Sequence, residues 1–332
     1  SQLIELEPLG TAQRSAAIME CFNRFMAEPL PMLTMQQVTG SLSQTLLLTL
    51  CDDVESMFNS VGLGGAAHAA LVDAFPEYQS TAMTTAGVLS MLLAIGRTVR
   101  TKTSAQCFEF FAGVGSITAA AQEENIDARA FDIERDPADD VLTGPGFRRW
   151  MLATILLGSR TKNLIFSAPV CSTWVWVSRS VTKRSAQRPL GDPNVRCVAQ
   201  SNSMILRSSM LWLLGLHLGD SMVVEQPLSS LMHKHPSVAA LFSRKNVGCM
   251  ITWLGSFGSP FCKPIHLYYD TSATWVKNLR RAKPRDKAPL VRRVKDPITL
   301  KVKISGLPKQ LRKSSAYPQA FGRELISAWL RQ

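Results

Sequence analysis

The sequence predicts an α/β fold in which a mostly parallel sheet carries an antiparallel hairpin strand and is preceded by a helical N-terminal region. Three observations predict it. The run Phe108-Glu109-Phe110-Phe111-Ala112-Gly113-Val114-Gly115-Ser116 reads as a strand that turns through two glycines into a helix, a turn that needs glycine for its tight backbone. From Ser104 onward, short apolar runs alternate with helical segments, the pattern of parallel strands covered by helices. Two later runs, joined by Gly255-Ser256-Phe257-Gly258-Ser259-Pro260, read as a hairpin.

Residues 1–100 carry apolar side chains at helical spacing in 16–26, 42–61 and 82–95, punctuated by Pro29, Pro31, the Gly62 to Gly65 run and Pro76. Strands are expected at 106–111, 128–132, 163–167, 221–225, 249–254 and 264–269, with a long helix over 195–218. Beyond Asp270, Lys, Arg and Pro dominate, and residues 277–313 read as a flexible basic loop or an extended lid. Residues 316–330 then have helix character, with Pro318 in the first turn and Phe321, Leu325, Ile326 and Trp329 on one face. The chain divides into a helical region (1–100), a sheet domain (101–270) and a basic segment with a closing helix (271–332).

With 46% hydrophobic and 19% charged residues in 332, the chain can bury a sizeable core, which excludes global disorder. The net charge of +12 is uneven. Residues 1–100 hold four Lys/Arg against nine Asp/Glu, whereas residues 271–332 hold sixteen against three. A basic segment of that kind suits phosphates, an anionic surface or an acidic protein. Seven scattered cysteines without a Cys-x-x-Cys pair argue against a disulfide framework or zinc ribbon and for a reducing compartment. His233 and His235 lack a partner at metal-ligand spacing, so no metal site is expected, and both are read as surface residues. No apolar run reaches the length of a membrane span. The chain begins at Ser1, which fits methionine removal or a cleaved leader.

Chemistry is expected at the strand ends, because ligands of open α/β sheets bind outside the carboxyl ends of the strands. The glycine turn aims a helix N-terminus at a polar ligand, and Asp132 stands where a ribose-hydroxyl acceptor would stand in a dinucleotide-type fold. The run Asn163-Leu164-Ile165-Phe166-Ser167 leads into a loop carrying Cys171, and Met222-Val223-Val224 ends in Glu225. A carboxylate after three apolar residues needs a partner. Arg179 and Arg184 are the candidates for an ion pair, and a heterocycle held through a ring nitrogen is the functional alternative.

The ordered set Phe108 to Ser116, Asp132, Asp140, Pro169 to Cys171 and Glu225 to Pro227 resembles the cytosine 5-methyltransferase family of DNA methylases, with its divergent phage-like and protist members. The likeness covers residues 105–270 and, through Ala316-Tyr317-Pro318-Gln319-Ala320-Phe321-Gly322, the closing helix; Phe257-Gly258-Ser259-Pro260 with Lys263-Pro264 resembles a hairpin of such relatives. The resemblance implies a Rossmann-like methyltransferase sheet and S-adenosylmethionine as cofactor. It places the methionine part of the cofactor on Gly113 and Gly115, its adenine against Phe111, its ribose on Asp132 and its adenine amine on Asp140. It makes Cys171 the nucleophile for carbon 6 of cytosine and Glu225 the grip on ring nitrogen 3, with Arg179 or Arg184 standing in for a paired-arginine motif not evident after Glu225. Nucleic acid, met by residues 277–313, is the implied partner, and the nucleus the implied compartment, or an organelle if a leader is cleaved.

Three departures define an alternative. Val170 separates Pro169 from Cys171, Gln226 follows Glu225 where the family carries Asn, and no stretch is long enough for a separate target-recognition domain. The alternative is a catalytically inactive protein of this fold, serving as a structural or binding subunit of a larger assembly.

Overall fold

The computed structural model describes residues 58–76, 84–100, 104, 106–280, 282–284, 292–295, 297–298, 302–305 and 316–332. The helices expected over 16–26 and most of 42–61, and much of the basic segment 277–313, lie outside the described residues.

Six strands form the main sheet: β1 (Gln106–Phe110), β2 (Asp127–Phe131), β3 (Asn163–Ser167), β4 (Ser221–Pro227), β5 (Gly248–Trp253) and β6 (Pro264–Tyr269). Their order is β2-β1-β3-β4-β6-β5. The pairs β1–β2, β1–β3 and β3–β4 are parallel, while β6 runs antiparallel to both β4 and β5. The expected mostly parallel sheet with an antiparallel hairpin strand is therefore present, each strand within two residues of its expected run. A second, two-stranded sheet pairs β7 (Arg292–Lys295) with β8 (Val302–Ser305) inside the segment expected to be a loop or lid.

Among the described residues the α-helices are α1 (Gly64–Ala74), α2 (Thr85–Val99), α3 (Ser116–Glu123), α4 (Gly144–Leu157), the single turn α5 (Arg179–Thr182), α6 (Arg196–His217), α7 (Pro236–Arg244) and α8 (Gln319–Leu330). Strand side chains alternate between two cores, as a pleated sheet requires. Phe108, Phe110, Ile165, Met222 and Val224 face a core built with α1, α2, α4, α6 and α7. Cys107, Leu164, Phe166 and Val223 face a second core, built with α3, α8 and Trp275. Continuous apolar strands are the consequence of helices on both faces.

The Gly62 to Gly65 run punctuates the helices as expected: Gly62, at φ 74°, turns the chain and Gly64 opens α1 ahead of an alanine-rich run with strong helix propensity. Two expectations are corrected. Pro318 caps α8 instead of lying in its first turn, with ψ 142° still extended. His235 is buried, not a surface residue: its Nδ1 lies 2.8 Å from Ser237 Oγ and its ring packs edge-on against Trp174. No helix among the described residues is long and apolar enough to cross a membrane.

Candidate functional site

The parallel register sets the site. Phe110 is level with Phe131 and with Ser167, and Ser167 with Val224, so Phe111, Asp132, Ala168 and Glu225 follow at one edge of the sheet.

At β1 the chain leaves the sheet through Phe111, whose φ of 59° lies in the left-handed region that non-glycine residues seldom occupy. This swings the Phe111 ring edge-on against Trp150 of α4, with centroids 4.8 Å apart. Gly113 (φ 52°) and Gly115 (φ 75°) complete the turn, and Gly115 caps α3. A Cβ added at Gly113 would meet nothing within 4 Å, so the turn borders open space. Asp132 Oδ2 accepts the Gly113 N–H at 2.8 Å and its Oδ1 accepts the Glu134 N–H at 2.8 Å. A carboxylate has further lone pairs, so these bonds orient Asp132 without exhausting it. Asp140 Oδ1 accepts the Leu142 N–H at 2.9 Å, which places it at the turn before α4. Two carboxylates beside a glycine turn that borders open space can accept hydrogen bonds from the hydroxyl or amine groups of a ligand.

Two acids of this half were not anticipated. Glu109, buried in β1, accepts from Thr118 N and Thr118 Oγ1 at 2.7 Å each and caps α3 from beneath the sheet. Burial pushes its carboxyl up, and the Thr118 bonds oppose that. Asp139 is buried beside Asp132, accepts its N–H at 3.3 Å, pairs with Arg149, and is pushed up to about 6 chiefly by burial. An acid doublet at 139–140 was the only signal in the sequence, and alternation alone would not say which member turns inward.

On the other half, Cys171 is half-buried after β3. Its carbonyl accepts the N–H groups of Trp174 at 2.9 Å and Val175 at 3.2 Å, which closes the loop. Trp174 is buried between Arg184, whose Cζ stands 3.4 Å over the ring, and His235. Arg184 also donates to Ser201 Oγ at 2.7 Å and to the Pro189 carbonyl, so it braces the loop. Arg179 sits on α5, half-buried, with its Nε enclosed and without a hydrogen-bond partner.

Glu225 is 4% exposed, and neither arginine pairs with it among the described contacts. Its partners are Tyr317, whose hydroxyl donates to Oε2 at 2.7 Å, and Lys263, whose Nζ lies 4.0 Å from Oε1. The strand pleat explains the choice: Glu225 follows Val224, turns toward the core containing Tyr317, and so points away from the arginine side. Burial raises its pKa, while Lys263 and Tyr317 lower it. Next to it, Gln226 is fully buried; its Nε2 donates to the Pro169 carbonyl at 2.7 Å and its Oε1 accepts from Ser230 Oγ at 2.8 Å. The loop of Cys171 and the strand of Glu225 are thereby joined directly. Burial pushes the Cys171 thiol up, Lys263 pulls it down and Glu225 pushes it up further.

No family model and no curated protein matches the sequence. Among solved structures the chain is similar to a methyltransferase of Entamoeba histolytica, EhMeth. The identity is 12% and the TM-score 0.35, over 69% of this chain and 97% of that one.

Proposed function

We propose that this chain is an S-adenosylmethionine-dependent, cytosine 5-methyltransferase-like enzyme that acts on nucleic acid with Cys171 as nucleophile. The observation that carries this reading is the 2.7 Å bond from Gln226 to the Pro169 carbonyl, which holds the cysteine loop against the strand of Glu225 beside the glycine turn. Glu225 Oε1, buried without a hydrogen-bond partner, can accept from a protonated ring nitrogen, and a ring protonated there is the better electrophile. Once its proton has passed to water, the sulfur of Cys171 bonds to carbon 6 and the electron pair of the 5,6 double bond moves to carbon 5, which is otherwise a poor nucleophile; after carbon 5 is methylated, its proton leaves to water and the carbon 6–sulfur bond breaks, which restores the double bond and frees the thiolate. The cofactor supplies an electrophilic methyl group.

The rim supports a nucleic-acid substrate. Val170, Trp176, Val177 and Val181 are exposed around the cysteine loop. Residues 170–196 carry Arg179, Lys183, Arg188 and Arg196, besides the buried Arg184, against the single acid Asp192. Apolar and aromatic surface for bases, interleaved with cations for phosphates, is the chemistry of a strand-binding face.

Methyl transfer from labelled S-adenosylmethionine to DNA and RNA tests the reading. Cys171→Ala is expected to lose at least ~10³-fold in rate; full activity in that variant would end the thiol mechanism. One observation favours the inactive-subunit reading: the Cys171 thiol is shifted away from thiolate, opposite to an activated nucleophile. Calorimetry separates the two, since millimolar cofactor that fails to bind supports the subunit, and micromolar binding weakened in Asp132→Ala supports the enzyme.

A further inference from the structure

Glu225 divides its two oxygens between unlike neighbours. Oε2 takes the Tyr317 hydroxyl at 2.7 Å, whereas Oε1 is buried without a hydrogen-bond partner and meets only the Lys263 ammonium, at 4.0 Å. That distance is too long for a hydrogen bond and short enough for strong attraction where water is scarce. Lys263 Nζ also stands 5.9 Å over the Tyr317 ring. Tyr317 is fixed in turn, its carbonyl accepting from Ser116 Oγ at 2.7 Å and its ring packing against Phe166 and Phe321. Gln226 Nε2 ties the Cys171 loop to the strand of Glu225 through the Pro169 carbonyl at 2.7 Å, and the titratable groups gathered beside the thiol there are Lys263, Glu225 and Tyr317. Two of these are acids, and Lys263 is the cation of the set.

A thiolate beside a buried carboxylate is costly unless a positive charge stands between them. We propose that Lys263 is the charge-setting positioning residue of this crevice: it balances Glu225 and Cys171, while Tyr317 holds the carboxyl so that Oε1 stays open to a ligand. This rests on Cys171 and Glu225 facing one ligand, as proposed above.

The test is the pH dependence of Cys171 alkylation by iodoacetamide, followed on the full chain by peptide-resolved mass spectrometry between pH 6 and 10, where the rate at each pH below the midpoint reports its displacement. Lys263→Met is expected to move the midpoint up by about one unit, slowing alkylation about tenfold at pH 8. Lys263→Arg restores the original midpoint, and Glu225→Gln moves it down. A role confined to packing would change the unfolding temperature and leave these midpoints in place. A Lys263→Met profile that overlays the unsubstituted protein, or a Cys171 that resists the reagent up to pH 10 in every variant, would overturn the proposal. Alkylation needs no substrate, so a protein that shows the Lys263 shift but transfers no methyl group loses the proposed function and keeps this inference. An active enzyme with an unshifted profile does the reverse.

Discussion

The two halves of the crevice are built on opposite plans. The half at β1 and β2 is made from a contiguous turn whose polar groups are satisfied within thirty residues: Gly113 by Asp132, Thr118 by Glu109, Asp132 by Asp139. The half at β3, β4 and β6 collects Cys171, Glu225, Lys263 and Tyr317 from four separate segments, and leaves Glu225 Oε1 without a hydrogen bond. The first half is a finished cradle, while the second holds unspent bonding capacity. A buried carboxylate oxygen that has an ion-pair neighbour but no hydrogen bond is under-satisfied, and a donor from a ligand would relieve that cost.

The comparison is broken most severely at Gly322, which lies between the halves. A Cβ there would stand 2.5 Å from the Ser116 carbonyl oxygen, a backbone atom that cannot step aside. Gly322→Val is expected to cost about 3 kcal/mol in chemical denaturation and to damage cofactor binding and Cys171 reactivity together. A variant that loses only one of the two would show that the halves are uncoupled. Next in size, Asp132→Ala removes the acceptor of Gly113 and Glu134 and is expected to weaken cofactor binding roughly tenfold to a hundredfold, with the Cys171 alkylation profile unmoved. Conversely, Gln226→Leu frees the Pro169 carbonyl, and about 1–2 kcal/mol of stability should go with it. Methyl transfer should fall while cofactor affinity measured by calorimetry stays within twofold or so.

The smallest effect concerns pH. Burial lowers His235 to about 3, with the Arg184 charge adding to the shift. A histidine depressed in the folded state contributes stability above its unfolded value near 6.5, and that contribution drains away as pH falls toward 3. Between pH 6.5 and 5.5 the loss should be roughly 1 kcal/mol, visible as a falling denaturation midpoint. His235→Phe should flatten that limb. An unchanged slope would place the acid sensitivity elsewhere, with Asp139 excluded by sign, because a raised carboxyl contributes most below pH 4 and loses its contribution as pH rises through about 6.

Legibility followed the same division. Strands of the main sheet were readable because each is a short apolar run between turn residues, and the glycine turn because its backbone demands glycine locally. The partners of Glu225 were not readable. Lys263 and Tyr317 lie in runs quoted for their pattern, but what brings them to Glu225 is the pleat of β4 and the docking of α8, which are tertiary facts. Arginine was the natural expectation for a buried carboxylate, yet Arg184 is spent on Trp174 and Ser201. His235 misled for a related reason: a polar pair at 233 and 235 gives no sign that one ring turns under Trp174.

The bond from Ser116 to the Tyr317 carbonyl joins positions 201 residues apart in the chain. Contacts of such long separation form only after the intervening loop has been closed, and closure of that length slows folding. The cradle can assemble early from its neighbours in sequence, whereas Glu225 acquires its tyrosine only once the whole sheet stands and α8 has returned to it. A chain arrested before that return would carry the glycine turn complete while Glu225 still lacked the Tyr317 hydroxyl.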